Sequence, residues 1–199
     1  MKSQLPYIKI GLYINATSVI HYSSNSATPN SWYDIVMLNE VVDYYVIGFE
    51  QFNECTDALL KGGVTPMDSS DPNVNTLNKL KDALLMTNIT KDKLYLEYLI
   101  NPTVKKIDEN TFKKCERSYN EYCENSGYKY RWCADNQQTF FDKGVFAKQY
   151  ANGFIAREID LVDRDLKCKC DENKYVTFYM VLNGFKGLNM LHCDKIDGS

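Results

Sequence analysis

Histidine is scarce, with two in 199 residues, and no apolar run approaches the ~20 residues needed to cross a bilayer. The longest runs, 44–49 and 176–182, fall far short, so no membrane span is expected. His21 has no fixed serine or cysteine motif beside it, which argues against nucleophilic catalysis. His192-Cys193 lies too far from Cys168-Lys169-Cys170, itself spaced by a single residue, for a zinc pattern, so neither metal nor cofactor is expected. No basic stripe exists either. The 23 Lys and Arg are scattered among 26 Asp and Glu for a net charge of −3, and nucleic acid is excluded as an expected partner. Gly62-Gly63-Val64-Thr65-Pro66 lacks the lysine of a phosphate loop and reads as a turn. The opening Met1–Pro6 has no apolar core or small-residue cleavage site, so no signal peptide is visible.

At 44% hydrophobic and 25% charged, the chain can bury a core of one domain. Seven cysteines, Cys55, Cys115, Cys123, Cys133, Cys168, Cys170 and Cys193, are many for a reducing compartment. They are read as disulfide candidates in a secreted or lysosomal protein, and the odd count leaves at least one thiol without an internal partner. The sequons at Asn15 and Asn88 make those residues N-glycosylation candidates. An oxidising compartment without a visible leader is a conflict, and an N-terminal segment preceding Met1 resolves it most simply.

Hydrophobic patterning predicts α/β organisation. Tyr7–Ile14 alternates and reads as a strand ending at a turn over Asn15-Ala16-Thr17. Asp43–Phe49 is continuously apolar, as in a parallel strand buried on both faces. Leu77, Leu80, Leu84 and Leu85 recur at helical spacing within 75–86, with Asp71 and Asn73 upstream as candidate caps. A strand follows over Lys93–Ile100, then a helix at Phe146–Tyr150 and a strand at Gly153–Asp160. Between Ile107 and Gln138 lies a polar, aromatic and cysteine-rich stretch, expected to be an insertion stapled by disulfides. Lys174–Leu182 fits a final helix or a strand.

The order of these segments resembles the second half of a family 18 glycoside hydrolase, closest to the di-N-acetylchitobiase branch. There, a strand of the form Asp-(Phe/Tyr)-x-x-x-Met-x-Tyr-Asp leads into a polar loop with cysteine, as Asp43–Glu50 leads to Asn53-Glu54-Cys55. The likeness continues through the helix and strand of 77–100 and a cysteine pair comparable to Cys115 and Cys123. It then runs through Trp132-Cys133-Ala134-Asp135-Asn136, placed like the family's Trp-Tyr-Asp-Asn, to a helix at 146–150 and the last barrel strand. The resemblance implies a partial (β/α)8 barrel of about four parallel strands over residues 1–170, with the disulfide-rich insertion at 107–138. Residues 171–199 would form an extension packed upon it.

In that family the active site sits at the C-terminal ends of the barrel strands. Its catalytic glutamate closes an Asp-x-x-Asp-x-Asp-x-Glu strand, and the substrate's acetamido group replaces a protein nucleophile. That motif is absent from these 199 residues; the nearest acidic cluster, Glu158, Asp160, Asp163 and Asp165, has the wrong spacing. Phe49 stands where the family has a tyrosine hydroxyl, a loss of ~3 kcal/mol of stabilisation at a developing charge. Arg157 or Glu158 occupies the position of a pocket-floor tryptophan.

The resemblance therefore implies a domain that is catalytically inactive by itself and binds a chitin-type oligosaccharide or N-glycan, with Phe49, Glu50, Tyr98, Trp132, Asp135 and Glu158 as glycan-binding candidates. Trp32, Tyr130 and Trp132 could stack on sugar rings, although core packing is the commoner role of such residues. Glu50 could instead pair with a lysine, and Arg157, Glu158 and Asp160 could form a salt-bridged floor. Four strands leave two edges of a barrel open, so a protein partner or homodimer completing it is expected. A secreted protein-interaction module on the degenerate fold, or a fragment of an active hydrolase, is the alternative.

Overall fold

The computed structural model describes residues 8–24, 35–170 and 174–196. The first strand, β1 (Gly11–Asn15), runs directly into α1 (Ala16–Ser24). The turn expected over Asn15-Ala16-Thr17 is not there. Instead the Asn15 side-chain oxygen accepts a 3.0 Å bond from the Thr17 N–H and satisfies a donor at the helix start. The expected strand began at Tyr7, which lies outside the described residues, as does Trp32.

A short α2 (Ile35–Leu38) precedes β2 (Tyr44–Gly48), and α3 (Leu77–Leu85) then leads to β3 (Leu94–Leu99). The cap of α3 is Thr76, whose hydroxyl accepts from the Lys79 N–H at 3.1 Å. Neither Asp71 nor Asn73 caps it: Asp71 accepts the Asn73 N–H within the preceding turn. Proximity in sequence misleads here, because an Asx turn uses the same side-chain oxygen as a cap.

After β3 come β4 (Thr103–Val104) and then the cysteine-rich stretch, which forms α4 (Tyr119–Glu124) and β5 (Trp132–Cys133), with β4 and β5 paired antiparallel. It ends sooner than expected. Asn136 and Thr139 form a reciprocal cap that starts α5 (Gln137–Tyr150), so Gln137 and Gln138 are helical. The chain continues through β6 (Gly153–Arg157) to α6 (Val176–Lys186), which resolves the final apolar segment as a helix.

The main sheet has the order β1-β2-β3-β6, and all its neighbouring pairs are parallel. Its register divides the side chains cleanly. Leu12, Ile14, Tyr45, Ile47, Leu94, Leu96 and Tyr98 face the helices, where Val19, Leu77, Leu80, Phe146 and Val181 complete the core. Tyr13, Val46, Tyr95, Ile155 and Arg157 take the opposite face, which no described helix covers. This corrects the expectation that β2 is buried on both sides, since Tyr44 remains 39% exposed.

Three disulfides tie the periphery to this core: Cys55–Cys133, Cys123–Cys168 and Cys170–Cys193. Closing loops of 78, 45 and 23 residues, they each stabilise the fold by roughly 3–4.5 kcal/mol on chain-entropy grounds. Cys115 is exposed and is the thiol that the odd count leaves over, while Cys123 reaches Cys168 because α4 packs beside the loop after β6.

Helices α5 and α6 cross at two glycines. A methyl on Gly184 would stand 2.1 Å from the Phe141 carbonyl oxygen, and one on Gly144 would stand 2.0 Å from that of Val181. Backbone cannot yield as a flexible side chain can. Gly184→Ala is expected to destabilise the protein by about 1–3 kcal/mol in urea unfolding. Gly62→Ala, whose added methyl meets nothing closer than 3.9 Å, should unfold at an unchanged midpoint.

Candidate functional site at the C-terminal end of the open face

The uncovered face is built of tyrosines lying on glycines. The Tyr44 ring covers Gly11 and Tyr13 reaches across Gly48, both within the space a β-carbon would take, and Tyr95 lies against Gly153, where a β-carbon would stand 3.2 Å from its ring. Gly48 is the tightest case, because a methyl there would stand 1.7 Å from the Tyr13 hydroxyl oxygen. Only glycine lets that ring pass over β2, and its hydroxyl then donates to Glu97 Oε1 on β3 at 3.2 Å.

Glu97 joins a charged cluster. Arg157 Nη1 donates to Glu50 Oε2 at 2.8 Å and to Glu97 Oε1 at 3.5 Å, linking the ends of β2, β3 and β6. Asn15, at the end of β1, donates its amide to the Glu50 carbonyl at 2.8 Å. The guanidinium is held above its ordinary value chiefly by the Glu50 hydrogen bond, and the Tyr13 phenol is raised by burial and then by Glu97. Because Arg157 and Glu50 are both partly exposed, their pair contributes no more than about 1 kcal/mol to stability.

Two of the five non-glycine residues with positive φ among the described residues lie here, the others being Asn88, Leu166 and Lys169. Gln51 and Glu158, which follow Glu50 and Arg157 in sequence, have φ of 55° and 61°. Left-handed conformation in such residues costs of order 1 kcal/mol and tends to cluster at sites of function. Here it turns the chain sharply as it leaves the sheet, and Glu158 is delivered to an ion pair with Lys114.

The residues singled out from the sequence divide into two groups. Glu50 lies in the cluster, paired with an arginine instead of a lysine, and Glu158 adjoins it. Phe49 faces the helices, its ring stacked 5.0 Å from that of Tyr98, and the Tyr98 hydroxyl donates to the Lys143 carbonyl. Trp132 is fully buried, stacked 4.1 Å from Tyr128 with Phe112 edge-on. Asp135 pairs with Lys143 at 2.7 Å deep in the core. Tyr130 is exposed in the loop before β5. Asp160 takes no part in the salt-bridged floor, which uses Glu50, Glu97 and Arg157.

Tyr13 and Glu97 escaped the sequence reading. Strict alternation over Leu94–Leu99 was the available signal: it sets Glu97 opposite Leu94, Leu96 and Tyr98. Of the two sequons, Asn88 is exposed, whereas both polar atoms of the Asn15 amide are engaged. Asp163, Cys168 and Cys170 lie close together, but both sulfurs are in disulfides and offer no thiolate to a metal.

Neither a protein-family profile nor a curated protein matches the sequence. Solved structures do. Catalytic domain 2 of the Group II chitinase of Ostrinia furnacalis aligns with 98% of this chain and 59% of its own, at TM-score 0.65 and 15% identity. The chain has the fold of part of a chitinase domain. YKL-39, solved in the presence of chitooligosaccharides, aligns over 92% of this chain and 60% of its own at TM-score 0.60 and 13% identity. TsES1, an immunomodulatory active chitinase of Trichuris suis, aligns over 90% and 57% at TM-score 0.57 and 15% identity. This chain therefore spans about three fifths of the chitinase-fold chains it matches.

The Asp135–Lys143 pair, with Lys143 only 1% exposed, is an ion pair buried in the core. Burial raises the Asp135 carboxyl above 3.8 against the opposing attraction of Lys143. A carboxyl so raised holds its proton more tightly folded than unfolded. Unfolding releases that proton, and stability falls as pH climbs from 3.8 through the higher folded value. Lys143→Met removes the opposing attraction and is expected to cost about 3–5 kcal/mol at neutral pH. Near pH ~4, where the lone carboxyl can protonate, urea midpoints should record a smaller loss.

Proposed function

We propose that this chain is a family 18 glycoside hydrolase-like domain, of the chitobiase-like branch, that binds an N-acetylglucosamine-containing oligosaccharide without hydrolysing it. The observation that carries the reading is the position of the polar cluster. Glu50, Glu97, Arg157, Asn15 and Tyr13 gather at the C-terminal ends of parallel strands in a chitinase fold, where ligands of α/β folds bind. Ligands in related folds support the sugar class. An Ostrinia furnacalis Group II chitinase domain was solved with a chitooligosaccharide and a Group IV chitinase with allosamidin.

The same cluster argues against hydrolysis. Glu50 Oε2 accepts a 2.8 Å hydrogen bond from Arg157 Nη1, so that oxygen is engaged in an ion pair and is not presented to a leaving group. The Asp-x-x-Asp-x-Asp-x-Glu strand is absent, so nothing in these residues replaces that acid. What remains suits recognition. A tyrosine ring with a hydroxyl handle, an arginine and an asparagine amide can offer donors and a stacking face to a sugar bearing an acetamido group. Three disulfides and an exposed sequon at Asn88 support a secreted protein carrying glycan.

The test is calorimetry with chitotriose beside a fluorogenic chitobiose assay. Binding without turnover is expected, with Arg157→Ala weakening affinity by roughly tenfold, the ~1.4 kcal/mol of one charged hydrogen bond. Turnover that Glu50→Gln abolishes would contradict the non-hydrolytic reading, and absence of binding would contradict the glycan reading.

A further inference from the structure

Two features stand unpartnered together: one face of the main sheet and both of its edges. Among the described residues β1 pairs only with β2, and β6 only with β3. On the open face Tyr13, Tyr44 and Ile155 are 48%, 39% and 38% exposed, with Val46, Tyr95 and Leu99 half-buried among them. Bare parallel edges beside an apolar face invite pairing, and all-parallel sheets are ordinarily covered on both faces.

The edges are complementary to each other. All four strands point the same way, so a two-fold axis along the sheet brings β6 of one copy beside β1 of a second in parallel. It does so at both seams. The eight strands so assembled are the number at which a closed barrel's interior is just filled by side chains. Closed two-fold assembly is also the commonest oligomeric symmetry. We propose that two copies of this chain close one eight-stranded barrel through paired β6–β1 seams, each supplying half of the interior.

The open face is suited to that burial. Tyrosines laid over Gly11, Gly48 and Gly153 keep it shallow, leaving room for the same residues of a second copy. Arg157 touches both Glu97 and Glu50, so closure buries each carboxylate beside a guanidinium and leaves one negative charge per copy in excess at the mouth. Closure would set two Tyr13–Glu97–Arg157–Glu50 clusters around one mouth, so each cluster is half of a shared site. This assembly rests on the sheet and its edges and does not depend on which ligand the mouth takes.

Sedimentation velocity across ~1–100 µM, a span that covers common dimer affinities, tests it on the intact, disulfide-bonded chain. The wild type should sediment at twice the 23.0 kDa chain mass. Ile155→Lys, which puts a lysine from each copy inside the barrel, should weaken association by roughly a hundredfold or more. Leu85→Lys, on the helix side at 72% exposure, should leave it unchanged. Circular dichroism checks that each variant folds, and Tyr44→Lys reads the same face if Ile155→Lys does not. A wild type that stays monomeric throughout, or folded face variants that still dimerise, would overturn the proposal.

Discussion

A parallel sheet that the described helices clothe on one side governs this molecule. The parallel arrangement forces each connection to cross over through a helix, and the crossovers here all return on the same face. The main core then lies between that face and helices α1, α3, α5 and α6, with a smaller cluster of Cys55, Leu59, Val64 and Cys133 apart from it. Everything else is arranged around it: the α5–α6 contact at Gly144 and Gly184, the buried Asp135–Lys143 pair beneath Tyr98, and disulfides that secure the cysteine-rich stretch. The opposite face is left to tyrosines, glycines and one network of charge.

Much of this was legible in the residues. Strands with parallel-sheet character, the helix of Leu77, Leu80 and Leu84 and the cysteine-rich segment fall where periodicity sets them, because long, strongly patterned segments have little alternative. Ends were harder. Thr76 and Asn136 cap their helices through one side-chain oxygen each, a local choice that Asp71 or Asn73 could equally have offered on paper. Disulfide partners are set by packing of elements far apart in sequence, so Cys115, close to Cys123 along the chain, is left exposed.

The site was the least legible part. Motif resemblance pointed to aromatic residues, yet Phe49, Tyr98 and Trp132 have the apolar bulk that cores recruit, and the core took all three. The charged cluster came instead from short-range alternation, which put Glu97 and Arg157 on the face that Leu96 and Ala156 avoid. Glu50 was recognisable as a strand-end acid. Its partner was not, since register alone brings β6 to within a hydrogen bond of β2 across β3. A fold shared at 15% identity needs only the right pattern of apolar faces, which many sequences supply.

The central claim, that ligand recognition lies at the C-terminal end of the uncovered face, is tested most directly by nuclear magnetic resonance titration of the labelled chain with chitotriose. The account predicts that the amides of Asn15, Glu50, Glu97 and Arg157 shift together while those of Gly11, Tyr44 and Gly153, at the other end of the same strands, do not. Shifts centred on Trp132 and its loop, with the four cluster amides unmoved, would contradict it.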